Sequence, residues 1–305
     1  MPLLPAVGTR VSLRYRLGAG ADKPLTDVVG YVERLEPTVS VRTKSGELVD
    51  VAPDAVVSVR ELSHVPVRAS EIRALEHAAA LAWPGTEQQW LDGWFLRAGH
   101  GATSRANSAV PLGFSAQITD LPAVIEWYRQ RGLPAWLSVP ERLLPLRAAG
   151  FKPTRVMVCD LPPGVTPAQP STPGVTLAGQ PDRQWRQTYE RDVPVDVLTA
   201  VLDGQVTFAS IPEQAVGRGA VTPAPDGTPW LGISSVRVAA QHRRQGHART
   251  VCEALLGWGA ELGARRAYVQ VEVDNDPAIA LYTSMGFRLH HQNRYLAAED
   301  VITPR

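Results

Sequence analysis

The sequence is poor in the residues that mark several common classes of protein. Cys159 and Cys252 are its only cysteines in 305 residues, and no metal-binding spacing surrounds either of them. A disulfide-stapled secreted scaffold is therefore not expected, and we expect no metal site. Lysine occurs only at Lys23, Lys44 and Lys152, so arginine carries nearly all of the positive charge.

Long apolar runs are also missing. No stretch is long enough to cross a bilayer, and the first residues have neither the charged nor the apolar region of a signal peptide. The net charge is only +1 at pH 7, so no overall field favours nucleic acid or a membrane surface. We therefore expect a cytoplasmic protein without a membrane partner. Hydrophobic residues make up 44% of the chain, which is ample for the cores of two or three domains.

Residues 1–66 have the pattern of a small all-β domain. Apolar and polar residues alternate in five short segments, and Lys44-Ser45-Gly46 is a tight hairpin signal between two of them. Five strands in about sixty residues predict a small SH3-like β-barrel. Its arginines lie among acids without interleaved aromatic residues, so a packing or docking module is favoured and nucleic acid is not an expected partner.

The clearest pattern lies at 230–296, which reads strand, turn, helix, strand, short helix, strand. Apolar residues recur at helical spacing through 251–262, and 267–273 alternates as a strand. The turn before the first helix is Arg243-Arg244-Gln245-Gly246-His247-Ala248. A glycine and a small residue at a helix N-terminus leave backbone N–H groups free, and two arginines add full charges. This turn is therefore suited to a diphosphate, although it is neither a dinucleotide fingerprint nor a P-loop.

A second motif follows that turn. Its members are Asn275, Ala278, Leu281, Tyr282, Gly286 and Phe287. The turn by itself is as typical of a surface loop with two solvated arginines. Together with this motif, over residues 172–297, it resembles the GNAT family of acyl-CoA-dependent N-acetyltransferases.

The resemblance implies a GNAT fold and acetyl-CoA as co-substrate. The turn at 243–248 would hold the coenzyme A pyrophosphate. The fourth strand would meet the pantetheine and the acetyl carbonyl at Val236, Arg237 and Val238, and Asn275 would contact the pantetheine. Tyr282 would protonate the departing thiolate, a transfer that the ordinary pKa values of tyrosine and a thiol make uphill by about 2 kcal/mol.

The sequence departs from the family pattern at the general base. Many family members carry a glutamate at the start of the fourth strand, where this chain has Ser234 and Ser235. A serine is no base by itself, although it could order a water molecule. Glu272 on the next strand alternates with Tyr268 and Gln270, so it either faces the site as the base or points outward as a surface carboxylate.

Residues 67–165 repeat part of this order. Strand 135–139 leads through a helix predicted at 142–149 to Gly150-Phe151, as strand 267–271 leads to Gly286-Phe287. We interpret the segment as a degenerate GNAT-like domain that does not hold coenzyme A, with coincidence as the alternative. A proline-rich linker at 161–173 then leads to the catalytic domain at 166–305. The expected fold class is thus α/β (α+β) with three domains.

The acceptor is the least determined part. This domain order resembles an actinobacterial group whose members are regarded in part as N-acetylglutamate synthases and in part as histone-type acetyltransferases. Arg97 and Arg105 could bind a carboxylate between the last two domains, with Asn107 nearby. We expect a small-molecule amine such as glutamate as substrate. A protein-lysine acetyltransferase and a non-catalytic acetyl-CoA-fold binding protein are the alternatives, and a homodimer is left open.

Overall fold

The computed structural model describes residues 4–18, 23–63, 65–146, 148–161 and 174–302. The chain forms two compact units, Met1–Val67 and Arg68–Arg305. The predicted linker lies outside the described residues except for its first residue, Leu161. No helix in the described ranges is long and apolar enough to cross a membrane.

The first unit is a small antiparallel sheet. Its strands are β1 (Arg10–Arg16), β2 (Leu25–Arg34), β3 (Val39–Thr43), β4 (Leu48–Val51) and β5 (Val56–Glu61). They lie in the order β4-β3-β2-β1-β5. Alternate side chains, among them Val11, Leu13 and Val41, bury one face in a valine-rich core. The predicted small β domain is therefore confirmed.

Arginines on this sheet are paired with acids. Arg14 donates to both carboxylate oxygens of Asp27, its partner across β1 and β2, at 2.8 Å. Arg42 bonds Glu33 in the same way, and Arg34 lies 3.2 Å from Asp50. The acids neutralise arginine charges that would otherwise attract a phosphate backbone. That nucleic acid is not a partner stays a prediction.

The second unit is built on a larger mixed sheet. The first three strands of the unit lie outside this sheet and form a small antiparallel sheet of their own. They are β6 (Glu87–Leu91), β7 (Trp94–Ala98) and β8 (Val110–Pro111). The others are β9 (Trp136–Pro140), β10 (Phe151–Asp160), β11 (Thr176–Ala178), β12 (Gln205–Ile211), β13 (Ala215–Pro223), β14 (Pro229–Val238), β15 (Arg266–Glu272) and β16 (Arg288–Ala297). These eight lie in the order β11-β12-β13-β14-β15-β10-β16-β9. Neighbours are antiparallel except β14 and β15, which run parallel.

Helices cover this sheet on both faces. They are α1 (Ala69–Ala82), α2 (Leu121–Arg129), α3 (Arg183–Tyr189), α4 (Val195–Thr199), α5 (His247–Glu261), α6 (Asp276–Ser284) and α7 (Ala298–Ile302). The predicted apolar face of α5 is confirmed, because Val251 and Leu255 are fully buried. That helix lies close to β13, since a Cβ added at Gly217 would stand 2.6 Å from Val251 Cγ1. On the other face Leu75 of α1 packs in a cluster with Trp230 of β14.

Strand β10 joins the two segments that we assigned to separate domains. It comes from the segment 67–165, yet it pairs with β15 on one side and with β16 on the other. Both neighbours come from the segment 166–305, so the two segments share a sheet and form one compact unit. The three-domain division and the internal repeat stay predictions about how the chain is organised.

The helix predicted at 142–149 is wrong. Residues 141–146 and 148–150 form turns and irregular backbone, with Arg142 in the left-handed region at φ 68°. Pro145 stands in the middle of the segment, where its ring and its missing N–H oppose a helix. One of the similarities that supported the internal repeat is therefore lost.

Two glycines of α5 allow the packing of this helix on β14 to be tested. A Cβ at Gly259 would lie 2.7 Å from Leu231 Cδ2, whereas a Cβ at Gly257 would meet nothing within 4 Å. Gly257→Ala should raise the free energy of unfolding by about 0.5–1 kcal/mol, because alanine is the better helix former. Gly259→Ala should lower it by about 1 kcal/mol or more through overpacking. Denaturant unfolding measures both, and equal effects would contradict the packing.

Candidate active site

The sheet opens between β14 and β15. The two strands pair from Trp230 opposite Arg266 to Ile233 opposite Val269, and the pairing then stops. A bulge accompanies the separation, because Ser234 lies opposite Arg218 while Arg237 lies opposite Val216. Ser235, inside the bulge, has φ 56°. Among the described residues, 234–238 therefore have no partner strand on the β15 side.

The three predicted cofactor-binding residues of β14 lie in this separated part. Val236 and Val238 are half-buried against the core below. The side chain of Arg237 forms an ion pair with Glu190, the C-cap residue of α3. Ser235 Oγ lies 3.2 Å from the Tyr189 hydroxyl of the same helix. Helix α3 thus holds the bulge in place.

The turn at 243–248 has the geometry expected of an anion site. Arg244 and Gly246 both have left-handed backbone, with φ 62° and 88°. Gly246 is the N-cap of α5 and supplies no side-chain cap, so the first N–H groups of the helix, including those of His247 and Ala248, are open to a ligand.

Side chains around this turn leave it accessible. Arg243, Arg244 and Gln245 are exposed, and neither arginine forms a salt bridge within the ranges that the structure describes. Gln245 donates to the Gln241 carbonyl, and its own carbonyl oxygen lies 3.3 Å from His247 Nε2. The helix begins just after the separated end of β14, where the opening lies.

A cavity that is partly open to solvent lies where β14 and β15 part. Its lining includes Ser234 of β14, Gln270 of β15 and Trp83 at the end of α1. Ser234 Oγ is buried and has no hydrogen-bond partner among the described residues. A second cavity adjoins the first, because both are lined by Ala79, Arg105 and Gln270.

Two buried arginines, Arg218 and Arg97, line these cavities, and the side chains of both donate hydrogen bonds only to neutral groups. Arg218 in the first is 1% exposed and donates to the carbonyls of Leu198, Ala82 and Ala200 at 2.7–3.0 Å. It thereby caps the C-terminal ends of α4 and α1. Burial lowers the pKa of Arg218 to about 9, so the side chain remains a cation at neutral pH.

Arg97 and Arg105, predicted as substrate residues, lie together at the second cavity. Arg97 is 3% exposed and donates to Ser108 Oγ at 2.9 Å and to the Trp83 carbonyl at 3.3 Å. Burial lowers its pKa. The guanidinium of Arg105 lies over the Trp83 ring at 5.6 Å, and its Nε is buried without a hydrogen-bond partner in the described part of the chain.

Asn107 was predicted as a substrate residue, and the structure places it elsewhere. Its Oδ1 accepts the N–H groups of Gly99 and Gly101 at 2.8 and 2.9 Å, and its Nδ2 donates to the Thr103 carbonyl at 2.7 Å. All of its strong contacts are to backbone groups of one loop, and it lines neither cavity. Asn107 shapes the loop that carries Arg105.

Tyr282 lies on α6 and is buried, with its ring 5.6 Å from that of Phe287. Burial raises the pKa of Tyr282 well above its usual value, while the charge of Arg105 acts in the opposite direction. The hydroxyl therefore stays protonated at any working pH. Because the pKa is raised, the cost of about 2 kcal/mol that follows from ordinary pKa values is a lower bound for a full proton transfer.

Like Tyr282, the predicted residues Glu272 and Asn275 line neither cavity. Glu272 is exposed at the end of β15, opposite Thr154 of β10. Asn275 is the exposed N-cap of α6, and its Oδ1 accepts the Ala278 N–H at 3.3 Å. Its amide group therefore has a structural role in the helix, whether or not it also contacts a ligand. No cluster of three or more His, Cys, Asp or Glu that could hold a metal is found in the described ranges.

Sequence reasoning missed two charged residues of these cavities. Arg218 stands between two glycines in an otherwise apolar strand, an unusual place for an arginine. Glu76 lies four residues after Ile72 and three before Ala79, on the apolar face of α1. Charge on a face that periodicity assigns to the core is the signal that could have found both residues.

Known proteins resemble this chain over most of its length. Residues 69–296 match the family model described as probable histone acetyltransferase Rv0428c C-terminal. The chain is 50% identical over 301 residues, 97% of each chain, to the probable histone acetyltransferase Rv0428c of Mycobacterium tuberculosis. It is 26% identical to the uncharacterized N-acetyltransferase YobR of Bacillus subtilis, over 74% of this chain and 98% of that one.

Solved structures share the fold. A GCN5-related N-acetyltransferase from Kribbella flavida has a TM-score of 0.51 at 14% identity, over 76% of this chain and 95% of that one. A GNAT-family putative acetyltransferase from Novosphingobium aromaticivorans has a TM-score of 0.50 at 18% identity, over 72% and 95%. The chain belongs to the GNAT family of N-acetyltransferases. As a GNAT protein it is an acyltransferase enzyme, so a purely binding role is not supported.

The comparisons refine the description of the N-terminal unit. Residues 5–60 match a family model described as the Rv0428c N-terminal Sm-like domain. The small β domain itself is present, with five strands in one sheet. Its SH3-like character and its closure into a barrel stay predictions.

Proposed function

We propose that this GNAT protein transfers the acetyl group of acetyl-CoA to the amine of a small carboxylate-bearing acceptor, a free amino acid such as glutamate. The observation that carries the proposal is the charge around the two cavities. Arg97, Arg105 and Arg218 line them, and none of the three forms an ion pair with an acid among the described residues. A carboxylate would find three guanidinium groups without an ion-pair partner in a low-dielectric site, where such a contact counts most.

The opening between β14 and β15 supports acetyl-CoA as co-substrate. Free backbone groups of 234–238 would meet the pantetheine, and the open N-terminus of α5 would meet the pyrophosphate. Arg243 and Arg244 add charge at that turn. The buried, unpartnered Ser234 Oγ is a polar group that a bound ligand would satisfy.

The chemistry proposed is direct transfer. The acceptor nitrogen attacks the thioester carbon, and the N–H of Val236 or Val238 stabilises the oxyanion. When the carbon–sulfur bond breaks, Tyr282 donates a proton to the thiolate. Its raised pKa keeps the proton available, and the developing negative charge on sulfur makes the transfer easier as the bond breaks.

A protein lysine is the second candidate acceptor. It is supported by the relative from Mycobacterium tuberculosis, which is named a probable histone acetyltransferase and is 50% identical to this chain. A lysine side chain brings an amine but no carboxylate, so it would leave the arginines around the cavities unpaired. The small-molecule acceptor accounts for those charges, and we therefore prefer it.

The acceptor class can be tested by thiol release. Purified protein with acetyl-CoA should release coenzyme A with amino acids, L-glutamate among them, and far more slowly with a lysine-containing histone peptide or with the matching amine that lacks the carboxylate. Arg105→Ala should raise the KM for the amino acid at least tenfold, as the loss of a charge-assisted contact predicts, while Arg288→Ala at an exposed position serves as the control. Faster release with the peptide, or an unchanged KM in Arg105→Ala, would favour the protein acceptor.

The role of Tyr282 predicts a loss confined to the chemical step. Tyr282→Phe should lower kcat by about 10²-fold or more with little change in the Kd for acetyl-CoA, because the ring packing is kept and only the proton donor is removed. Steady-state kinetics and calorimetric binding measure the two quantities. Tyr15→Phe in the first unit is the matched control, and a Tyr282→Phe enzyme with the rate of this control would show that another group protonates the thiolate.

A further inference from the structure

The proposed reaction needs a general base that the predicted residues do not supply. An alkylamine with a pKa near 10 is mostly an ammonium ion at neutral pH and must lose a proton before it can attack. Ser234 is followed in β14 by another serine, Ser235, so its neighbour in the strand is not a basic group. Glu272 is exposed and lines neither cavity. The base must therefore come from another element.

One buried carboxylate reaches the site. Glu76 on α1 lines the second cavity and is 3% exposed. Among the described residues it is the only aspartate or glutamate that is buried. A carboxylate in such a position is costly to keep in the folded protein, so its retention calls for a function or for strong pairing.

The two oxygens of this carboxylate differ. Oε1 lies 2.9 Å from His291 Nε2 and accepts from Gln270 Nε2 at 3.4 Å. Within the part of the chain that the structure describes, Oε2 accepts no hydrogen bond. Gln270 also lines the first cavity, beside the point where β14 and β15 part. Glu76 thus keeps one oxygen fixed and one available, next to where the acceptor would lie.

Behind Glu76 a chain of two histidines leads away from the cavity. His291 is 0% exposed, and its Nδ1 lies 2.8 Å from His290 Nδ1. Burial, with the neighbouring His291, lowers the pKa of His290 to about 3, so His290 is neutral in the working range. His290 is half-buried, whereas His291 is enclosed. A proton accepted by Glu76 therefore has a hydrogen-bonded route toward solvent.

We propose that Glu76 is the general base of this enzyme, and that His291 positions it and carries the proton on to His290. This inference rests on the proposed function, because it assumes an ammonium acceptor in the cavities. Glu76 Oε2 takes one proton from the ammonium, the free amine attacks the thioester carbon, and the carbon–sulfur bond breaks. The second proton, lost from nitrogen as the amide forms, replaces the proton that Tyr282 gives to the thiolate. The first proton moves from Glu76 to His291 Nε2 as the proton of His291 Nδ1 moves to His290 Nδ1, and His290 gives up a proton to solvent.

The charges around Glu76 suit this role. Arg97 and Arg105 line the same cavity as Glu76, where they would bind the carboxylate of the acceptor. The cavity therefore contains cations for one end of a zwitterion and an anion for the other. The titratable or charged groups near Glu76 are His291 and Tyr295 of β16, Tyr268 of β15, Arg97 of β7 and Arg105 of the following loop.

The test compares pH profiles. Glu76→Gln keeps the shape of the side chain and a partner for His291, but it cannot accept a proton. With L-glutamate and acetyl-CoA, kcat at pH 7 should fall by about 10²–10³-fold, while the Kd for acetyl-CoA stays within twofold. The residual rate should then rise about tenfold per pH unit toward pH 10, because only the solvent now supplies free amine. The kcat of the wild-type protein should depend less steeply on pH. Glu261→Gln, at the exposed end of α5, is the matched control.

Two further variants test the proposal even if Glu76→Gln does not fold. Glu76→Asp retains a carboxylate set back by one methylene, so kcat should fall about tenfold with the flat wild-type profile preserved. His291→Gln keeps a donor to Glu76 but cannot relay a proton, so kcat should fall while the KM for L-glutamate is unchanged.

Each failure has a distinct meaning. Wild-type turnover of L-glutamate that survives in Glu76→Gln, or a Glu76→Asp profile that rises with pH like that expected of Glu76→Gln, would overturn the assignment of Glu76 alone. Absence of turnover by the wild-type protein with L-glutamate and with every other amino acid would overturn the proposed acceptor, and this inference with it.

Discussion

The structure of the second unit depends on one interruption of backbone pairing. Strands β14 and β15 are the only parallel neighbours in the eight-stranded sheet, and their hydrogen bonds stop after Ile233 and Val269. An extra residue at Ser235 bends β14 away. Unpaired backbone groups inside a protein are costly unless water, a side chain or a ligand satisfies them. The site is built around that requirement, with the turn before α5 at one end of the gap and the cavities at its apex.

Charged groups tie together the elements around the gap. Arg218 reaches from β13 to the last carbonyls of α1 and α4, so three elements meet at one buried guanidinium. Glu76 is held from the opposite side by His291 of β16. Burying these groups costs solvation that their hydrogen bonds only partly recover. The proposed zwitterionic acceptor would pair with both kinds of charge.

Local patterns could be predicted from the sequence, and non-local pairing could not. Helix α5 and the glycine turn before it follow from periodicity, glycine placement and helix-end physics over neighbouring residues. The insertion of β10 between β15 and β16 joins segments more than a hundred residues apart, and no local pattern encodes it. The helix expected around Pro145 was wrong because one proline outweighed an apolar pattern. Glu76 escaped notice because its role depends on His291, which lies 215 residues away.

The central claim is that acetyl-CoA occupies the gap between β14 and β15 and the N-terminus of α5. Amide hydrogen exchange over the whole chain, with and without acetyl-CoA, tests it most directly. We predict slower exchange in 234–238 and in 245–249 when acetyl-CoA is bound, with the sheet of the first unit unchanged. Binding of acetyl-CoA that leaves both segments as fast as in the free protein would contradict the account.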